Sequence, residues 1–356
     1  MLLKNHLLHI VAMGDFFMRN DLTASGVYIA AVIGAGFASG SEIVYYFAKY
    51  GKISIFGVMI SALLFGLSAW AVLNLSAKLG AESFGEFLVK IFPKSLAKVI
   101  NISAVVFMFF VFAAMVAGSG ETLCELVGTK KSVGVAVILV LTVAVLMFDV
   151  RGLMAANGVM SVFIILGVLG VCFYLYNFRE INVFSYKGEW AVSGTLYTGY
   201  NILTAGAVLP SMSRHVHSSK RVGFVSGVCI FVLLGALWGI ISIYHGKIPL
   251  GAIPMLTICK RHGYILSVLY SAVLFLAMLT TALANGFAIT DAFLGNRNIK
   301  TLFVAALGFL FAAIPFEFFV GSVYRWAGYV GVFFMFRVLI KSFKKINYLE
   351  KRRKIK

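Results

Sequence analysis

The ten residues IGAGFASGSE, Ile33 to Glu42, lie inside an apolar run that extends from Leu22 to Phe47. Three of the ten are glycines and two are serines. That is poor helix material, since a glycine in a helix interior costs about 1 kcal/mol relative to alanine. A hydrophobic run weakened at its centre predicts a helix that enters a membrane and loses its coil partway across.

The rest of the chain reads the same way. Of its 356 residues, 61% are hydrophobic and 12% are charged, whereas a soluble domain carries about 25% charged residues. Apolar runs of about 20 residues recur between short charged connectors. A transmembrane barrel would instead alternate in and out over segments of about 10 residues. The pattern predicts an all-α polytopic membrane protein with ten spans, at about 22–47, 54–76, 99–126, 133–148, 153–177, 191–212, 222–244, 263–291, 301–317 and 322–340. No long polar region divides them, so 1–356 reads as one membrane domain. It comprises a lead-in at 1–21, a first repeat at 22–177, a second at 191–340 and a basic tail at 341–356.

The formal charge of +18 is concentrated in that tail, KSFKKINYLEKRRKIK. A juxtamembrane basic segment is a topology anchor facing anionic headgroups, which argues against a nucleic-acid partner. With the N-terminus inside, 21 of the 31 Lys and Arg residues fall on the internal side. That predicts a multi-pass cell-membrane protein with both termini cytoplasmic. Cys124, Cys172, Cys229 and Cys259 are scattered singly and imply no disulfide or metal framework. His215 and His217 sit in a polar loop, and Asp291 and the Asp149–Arg151 pair mark internal helix ends. There is no HExxH, GxSxG or Walker loop, so an enzyme with a bound cofactor is not expected.

Ten spans divide as five plus five, and an odd number per half inverts the second half relative to the first. The matching first spans should then both be discontinuous. Span 6 carries TGYNILTAGAVLPSM, Thr198 to Met212, with Gly206 lying 172 residues after Gly34. Pro210 removes a backbone donor there. Unwound backbone at mid-membrane leaves N–H and C=O groups without partners, and a polar solute or an ion supplies them. Gly34, Ala35, Gly36 and Ser39 on span 1, with Tyr200, Asn201, Thr204 and Gly206 on span 6, are therefore the candidate substrate-binding residues. The competing reading is that these glycines only let helices pack closely.

Charge within the spans is scarce. Glu42 follows Gly36 by six residues, about 9 Å along an unbroken helix, and is the candidate for a proton or gating role. The alternative places it in an outward vestibule or paired with Arg325. Glu121 lies near the outer end of span 3. Tyr197 and Tyr200 are candidates to line the pocket.

The motif GAGFASGSE, with YNILTAGAVLPSM in span 6, resembles the YkvI-type membrane proteins, a bacterial family similar in turn to the amino acid–polyamine–organocation superfamily. Ser41 departs from that family's usual pattern, which has Gln there. The resemblance implies the LeuT-like fold and a secondary transporter of small amino-acid-like or amine solutes, coupled to Na+ or H+. It also implies a sodium site between span 1 and span 8, where Thr280, Thr281 and the carbonyl of Ala277 would meet the carbonyls of Ala30 and Ile33. A hard monovalent cation is served by neutral oxygens of this kind. Span 5 lacks the lysine that replaces the ion in some sodium-independent relatives. The expected partners are a small-molecule solute and the lipid bilayer, with no obligate protein partner. A second possibility is a receptor that keeps the transporter fold and signals without flux.

Overall fold

A computed structural model describes residues 21–147, 150–176, 188–292 and 296–354. The lead-in up to Asn20, Asp149, the side chain of Arg151 and the last two residues of the tail lie outside the described residues.

The predicted first span is three helices. α1 (Asp21–Val32), α2 (Ala35–Ser39) and α3 (Ser41–Tyr46) are separated by Gly34 and Gly40. Two 3-10 turns then lead into α4 (Ile55–Leu79). A short α5 (Phe84–Ile91) precedes α6 (Lys94–Val127), α7 (Lys131–Met147) and α8 (Val150–Tyr176). The second half contains α9 (Trp190–Met212), α10 (Ser219–Tyr244), a short α11 (Pro254–His262), α12 (Tyr264–Ala292) and α13 (Arg297–Phe311). Pro315, at φ −59° and ψ 141°, separates α13 from α14 (Phe316–Phe318). The predicted ninth span therefore ends earlier than 317. A π turn over Phe319–Val323 joins α14 to α15 (Tyr324–Lys354).

Each of the ten predicted ranges is occupied by helix. Among the described residues, five segments are long and apolar enough to cross a membrane, namely Lys52–Leu79, Lys94–Val127, Ser219–Tyr244, Tyr264–Ala292 and Phe316–Lys344. Shorter apolar helices cover Asp21–Val32, Lys131–Met147 and Met160–Tyr176. Many large apolar side chains on these helices face outward, among them Phe163, Phe173, Phe224, Ile265 and Trp326. That surface suits lipid and not water.

The helices form two packed groups. α9 and α10 each pack on α4 and on α1, while α6, α7, α12 and α13 pack together. α15 lies along α9 and α4, and α8 lies along α12 and α10. Small residues set the closest approaches. A Cβ on Gly194 would lie 2.7 Å from the Gly57 carbonyl oxygen, and one on Gly331 would lie 1.8 Å from that of Gly199.

α9 differs from expectation. It runs unbroken through Gly199, Gly206 and Pro210. Gly194 and Gly199 are used in packing on α4 and α15, and its polar side chains bond back to their own helix. Asn201 Nδ2 donates to Tyr197 O at 3.0 Å, Thr204 Oγ1 to Asn201 O at 3.0 Å, and Ser211 Oγ to Val208 O at 2.8 Å. Pro210 has no N–H to give the Gly206 carbonyl, yet the coil continues through it, and the expected interruption is absent.

Candidate functional site

Two breaks interrupt the first span, and they are closed in different ways. At Gly40 the backbone turns left-handed, φ +82° and ψ −6°, a conformation that only glycine adopts without strain. The protein satisfies its own groups there. Ser39 Oγ donates to Gly36 O at 2.8 Å, Gly40 N to Phe37 O at 3.0 Å, and Tyr270 OH to Ala38 O at 2.5 Å. Ser41 Oγ donates to Ala252 O at 2.7 Å. Ser39 is therefore committed to this turn and does not join a solute site.

The break at Gly34 is the open one. The ladder of α1 ends where Ile33 N donates to Ile29 O at 2.9 Å, and it resumes only where Ala38 N donates to Gly34 O at 3.1 Å. The carbonyls of residues 30 to 33 fall between the two ladders. Gly34 N, which in an unbroken helix would bond Ala30 O, instead bonds Val32 O at 3.0 Å. Ala30 and Ile33 are the two span 1 residues named for the cation site.

The third part of that site lies opposite. A Cβ on Gly34 would be 3.3 Å from Thr281 Oγ1, so α12 presents this hydroxyl directly to the break. Thr280 Oγ1 donates to Ala277 O at 3.0 Å, and both residues are buried. Asn285 Nδ2 donates to Thr281 O at 2.8 Å and holds the α12 backbone. Of the five residues, Thr281 is the one whose oxygen the structure brings to the interrupted helix.

Beyond Gly36 the structure places a feature that the sequence only partly signalled. The turn at Gly40 folds Glu42 back onto Gly36, so the two are in contact and not 9 Å apart as a straight helix would set them. A Cβ on Gly36 would lie 2.1 Å from Glu42 Oε1, so any side chain at position 36 would displace the Glu42 carboxyl. Glu42 is 5% exposed, and its Oε2 has no hydrogen-bond partner. Among the described residues no basic side chain forms an ion pair with it. Arg325 instead stacks over the Tyr45 ring, 5.8 Å from its centroid, beside Lys49 at 4.1 Å. Neither the outward vestibule nor the Arg325 pairing describes Glu42.

Tyrosines enclose this carboxyl. The hydroxyls of Tyr197 and Tyr200 face it from α9. The Tyr200 ring centroid is 5.5 Å from Tyr46, 5.5 Å from Tyr197 and 5.0 Å from Tyr324. Tyr46 and Tyr324 were not identified from sequence, where each is one aromatic among many. The π turn before Tyr324 is the local irregularity that brings it inward. Asn201 and Thr204 lie on the same helix as Tyr200 with their polar groups already bonded. A Cβ on Gly206 would meet only Ile202 of its own helix.

Glu121 proves structural. Its Oε1 accepts from Lys131 Nζ at 2.8 Å and from Phe316 N at 3.1 Å, tying together α6, α7 and α14.

No family model matches the chain. It is 24% identical over 329 residues to the uncharacterized membrane protein YkvI of Bacillus subtilis (strain 168), covering 89% of this chain and 94% of YkvI. It is 27% identical over 271 residues to the uncharacterized protein YyaD of the same organism, covering 72% and 76%. Among solved structures, a manganese transporter from Eremococcus coleocola superposes with a TM-score of 0.60 at 15% identity, covering 82% of this chain and 70% of that one. A Na+-coupled sialic acid symporter superposes with a TM-score of 0.55 at 13% identity, covering 86% and 74%. At such identities the likeness is one of fold. The chain is thus similar to the membrane protein YkvI over most of its length and is built on the LeuT-like fold.

Proposed function

We propose that this protein is a secondary active transporter of small amino-acid-like or amine solutes, coupled to sodium and working by alternating access around the first helix. The observation that carries this reading is the Gly34 break. There backbone carbonyls lie between two helical ladders, beside the hydroxyl of the half-buried Thr281. In a membrane such groups require partners, and a cation bound by Ala30, Ile33, Ala277, Thr280 and Thr281 supplies them. Thr280 Oγ1 and Ala277 O bond each other and would turn towards the ion.

The solute site adjoins it, on Gly34, Ala35 and Gly36 and the Tyr200 face of α9. Binding there biases the packing of α1 to α3 against α10 and α12, the contacts that must exchange for access to alternate. The continuous α9 makes the site one-sided, with backbone from the first helix and side chains from α9. Each of the two packed groups draws helices from both of the proposed repeats, 22–177 and 191–340. The basic end of α15 anchors a cytoplasmic C-terminus in the cell membrane. The likeness to a manganese transporter is one of fold and does not extend to its cargo. Among the described residues no three His, Cys, Asp or Glu come together.

The test is uptake into proteoliposomes of a panel of amino acids and amines, with and without an inward sodium gradient. Accumulation that collapses when the gradient is removed is the expected result. No gradient-dependent accumulation of any solute overturns the reading, and binding without flux makes the protein a receptor.

A further inference from the structure

We infer that the solute is an organic ammonium ion without a carboxylate of its own, and that Glu42 is its counter-ion inside a cage of Tyr46, Tyr197, Tyr200 and Tyr324. This inference rests on the transporter reading and narrows its substrate class.

The first observation concerns what fills the helix break. An amino acid bound to interrupted backbone would lay its carboxylate where α2 begins, against Gly36. In this chain that space is taken: Glu42 Oε1 lies where a side chain at position 36 would be. A second carboxylate beside it would be repelled. The protein has supplied the anion, so the solute supplies the cation.

The second observation is that Glu42 lacks a positive partner. A buried carboxylate is costly unless it is paired or protonated, and no basic side chain among the described residues pairs with it. Arg325 and Lys49, the nearby cations, are engaged on the ring of Tyr45. The third is the inventory of idle acceptors. Among the described residues, Glu42 Oε2 and the Tyr46 hydroxyl are buried without a hydrogen-bond partner, and the hydroxyls of Tyr197 and Tyr200 have no neighbour to bond except the Glu42 carboxyl they face. A primary ammonium carries three N–H donors, and a carboxylate oxygen with tyrosine oxygens beside it accepts them.

The fourth is the wall material. Ring planes of Tyr46, Tyr197 and Tyr200 meet at 58°, 40° and 88°, which makes a corner and not a flat stack. Tyrosine faces attract ammonium ions in desolvated sites. A bare metal ion would want a full shell of oxygens, where this cage offers mostly ring carbon. The centroids are 5.0–5.6 Å apart, the spacing of rings in direct contact, so the cage is closed and its rings part to admit the ammonium.

Matched pairs test the inference: ethylamine against alanine, 3-methylbutylamine against leucine, and phenethylamine against phenylalanine. Each is titrated calorimetrically into the full-length protein in lipid nanodiscs, with sodium present. At least one amine is expected to bind about tenfold or more tighter than its amino acid. Glu42→Gln should weaken that amine by about tenfold or more, and Tyr200→Phe, which keeps the ring, by a smaller factor. An amino acid that binds as tightly as its amine overturns the inference and leaves the transporter reading standing. Amine binding unchanged within about twofold in Glu42→Gln also overturns it, leaving Glu42 at most a proton carrier. If Glu42→Gln does not fold, the wild-type pair ratios and Tyr200→Phe decide the matter. Failure of both classes to bind or accumulate removes the transporter reading as well.

Discussion

α1 to α3 and α9 are built from similar residues, yet one breaks twice and the other not at all. Both are apolar, both carry several glycines, and α9 even has an internal proline. The difference lies in what each glycine touches. Gly194 and Gly199 face carbonyls of α4 and α15 at distances no Cβ would allow, so their missing side chains are used in packing. Gly34 faces a threonine hydroxyl, Gly36 a carboxyl, and Gly40 adopts a left-handed turn. Glycine content therefore marks where backbone comes close to something. The partner decides whether that something is another helix or a functional group.

Substitutions separate these two uses. The largest loss is expected at Gly331→Ala, whose Cβ would lie 1.8 Å from Gly199 O. Forcing α9 and α15 apart should destabilise the protein by about 3 kcal/mol, read as a drop in thermal unfolding temperature in detergent. Unchanged stability would mean the two helices are not in close contact. Next is Gly36→Val, which evicts the Glu42 carboxyl from its place. Gradient-driven uptake should fall about a hundredfold, the scale on which functional groups respond to a shift of about 1 Å, with the protein still folded. Retained uptake would separate Glu42 from the transport step.

Thr281→Ala removes the hydroxyl that faces the Gly34 break. Apparent sodium affinity in uptake assays should weaken about tenfold, since one ligand of a small set is lost. An unchanged sodium dependence withdraws the ion site. The smallest effect is expected at Gly206→Ala. Its Cβ would meet only Ile202 of its own helix, at 3.1 Å and 3.2 Å. Uptake should stay within about twofold, and stability should rise by up to about 1 kcal/mol from better helix propensity. A severe loss of uptake would show that α9 must unwind at Gly206 during the cycle.

Much of the fold was legible in the sequence because hydropathy is a one-dimensional signal. Long apolar runs punctuated by charge give helices and their approximate ends without knowledge of packing. The break at Gly34 was legible too, since IGAGFASGSE concentrates helix-weakening residues where lipid would otherwise enforce a coil. The juxtaposition of Gly34 with Thr281 came from family resemblance; spacing alone does not bring residues so far apart into contact. What stayed hidden was tertiary. The continuity of α9 depends on which neighbours its glycines press against. The position of Glu42 depends on a single left-handed residue that turns the chain back on itself. The tyrosine cage draws on α3, α9 and α15, and nothing local distinguishes Tyr46 or Tyr324 from other aromatics. Asp21, assigned to the lead-in, proves to be the buried first residue of α1. It accepts from His217 N at 2.8 Å and Ser218 N at 3.2 Å, a contact across almost 200 residues of sequence.

Hydrogen exchange of the full-length protein in nanodiscs, with and without sodium and a bound solute, tests most directly whether the first helix is the gripping element. Amides 34 to 37 should gain protection when both are added, with those of α9 around Gly206 unchanged. Protection that appears at Gly206 while residues 34 to 37 are unaffected would place the site elsewhere and contradict the role given to the Gly34 break.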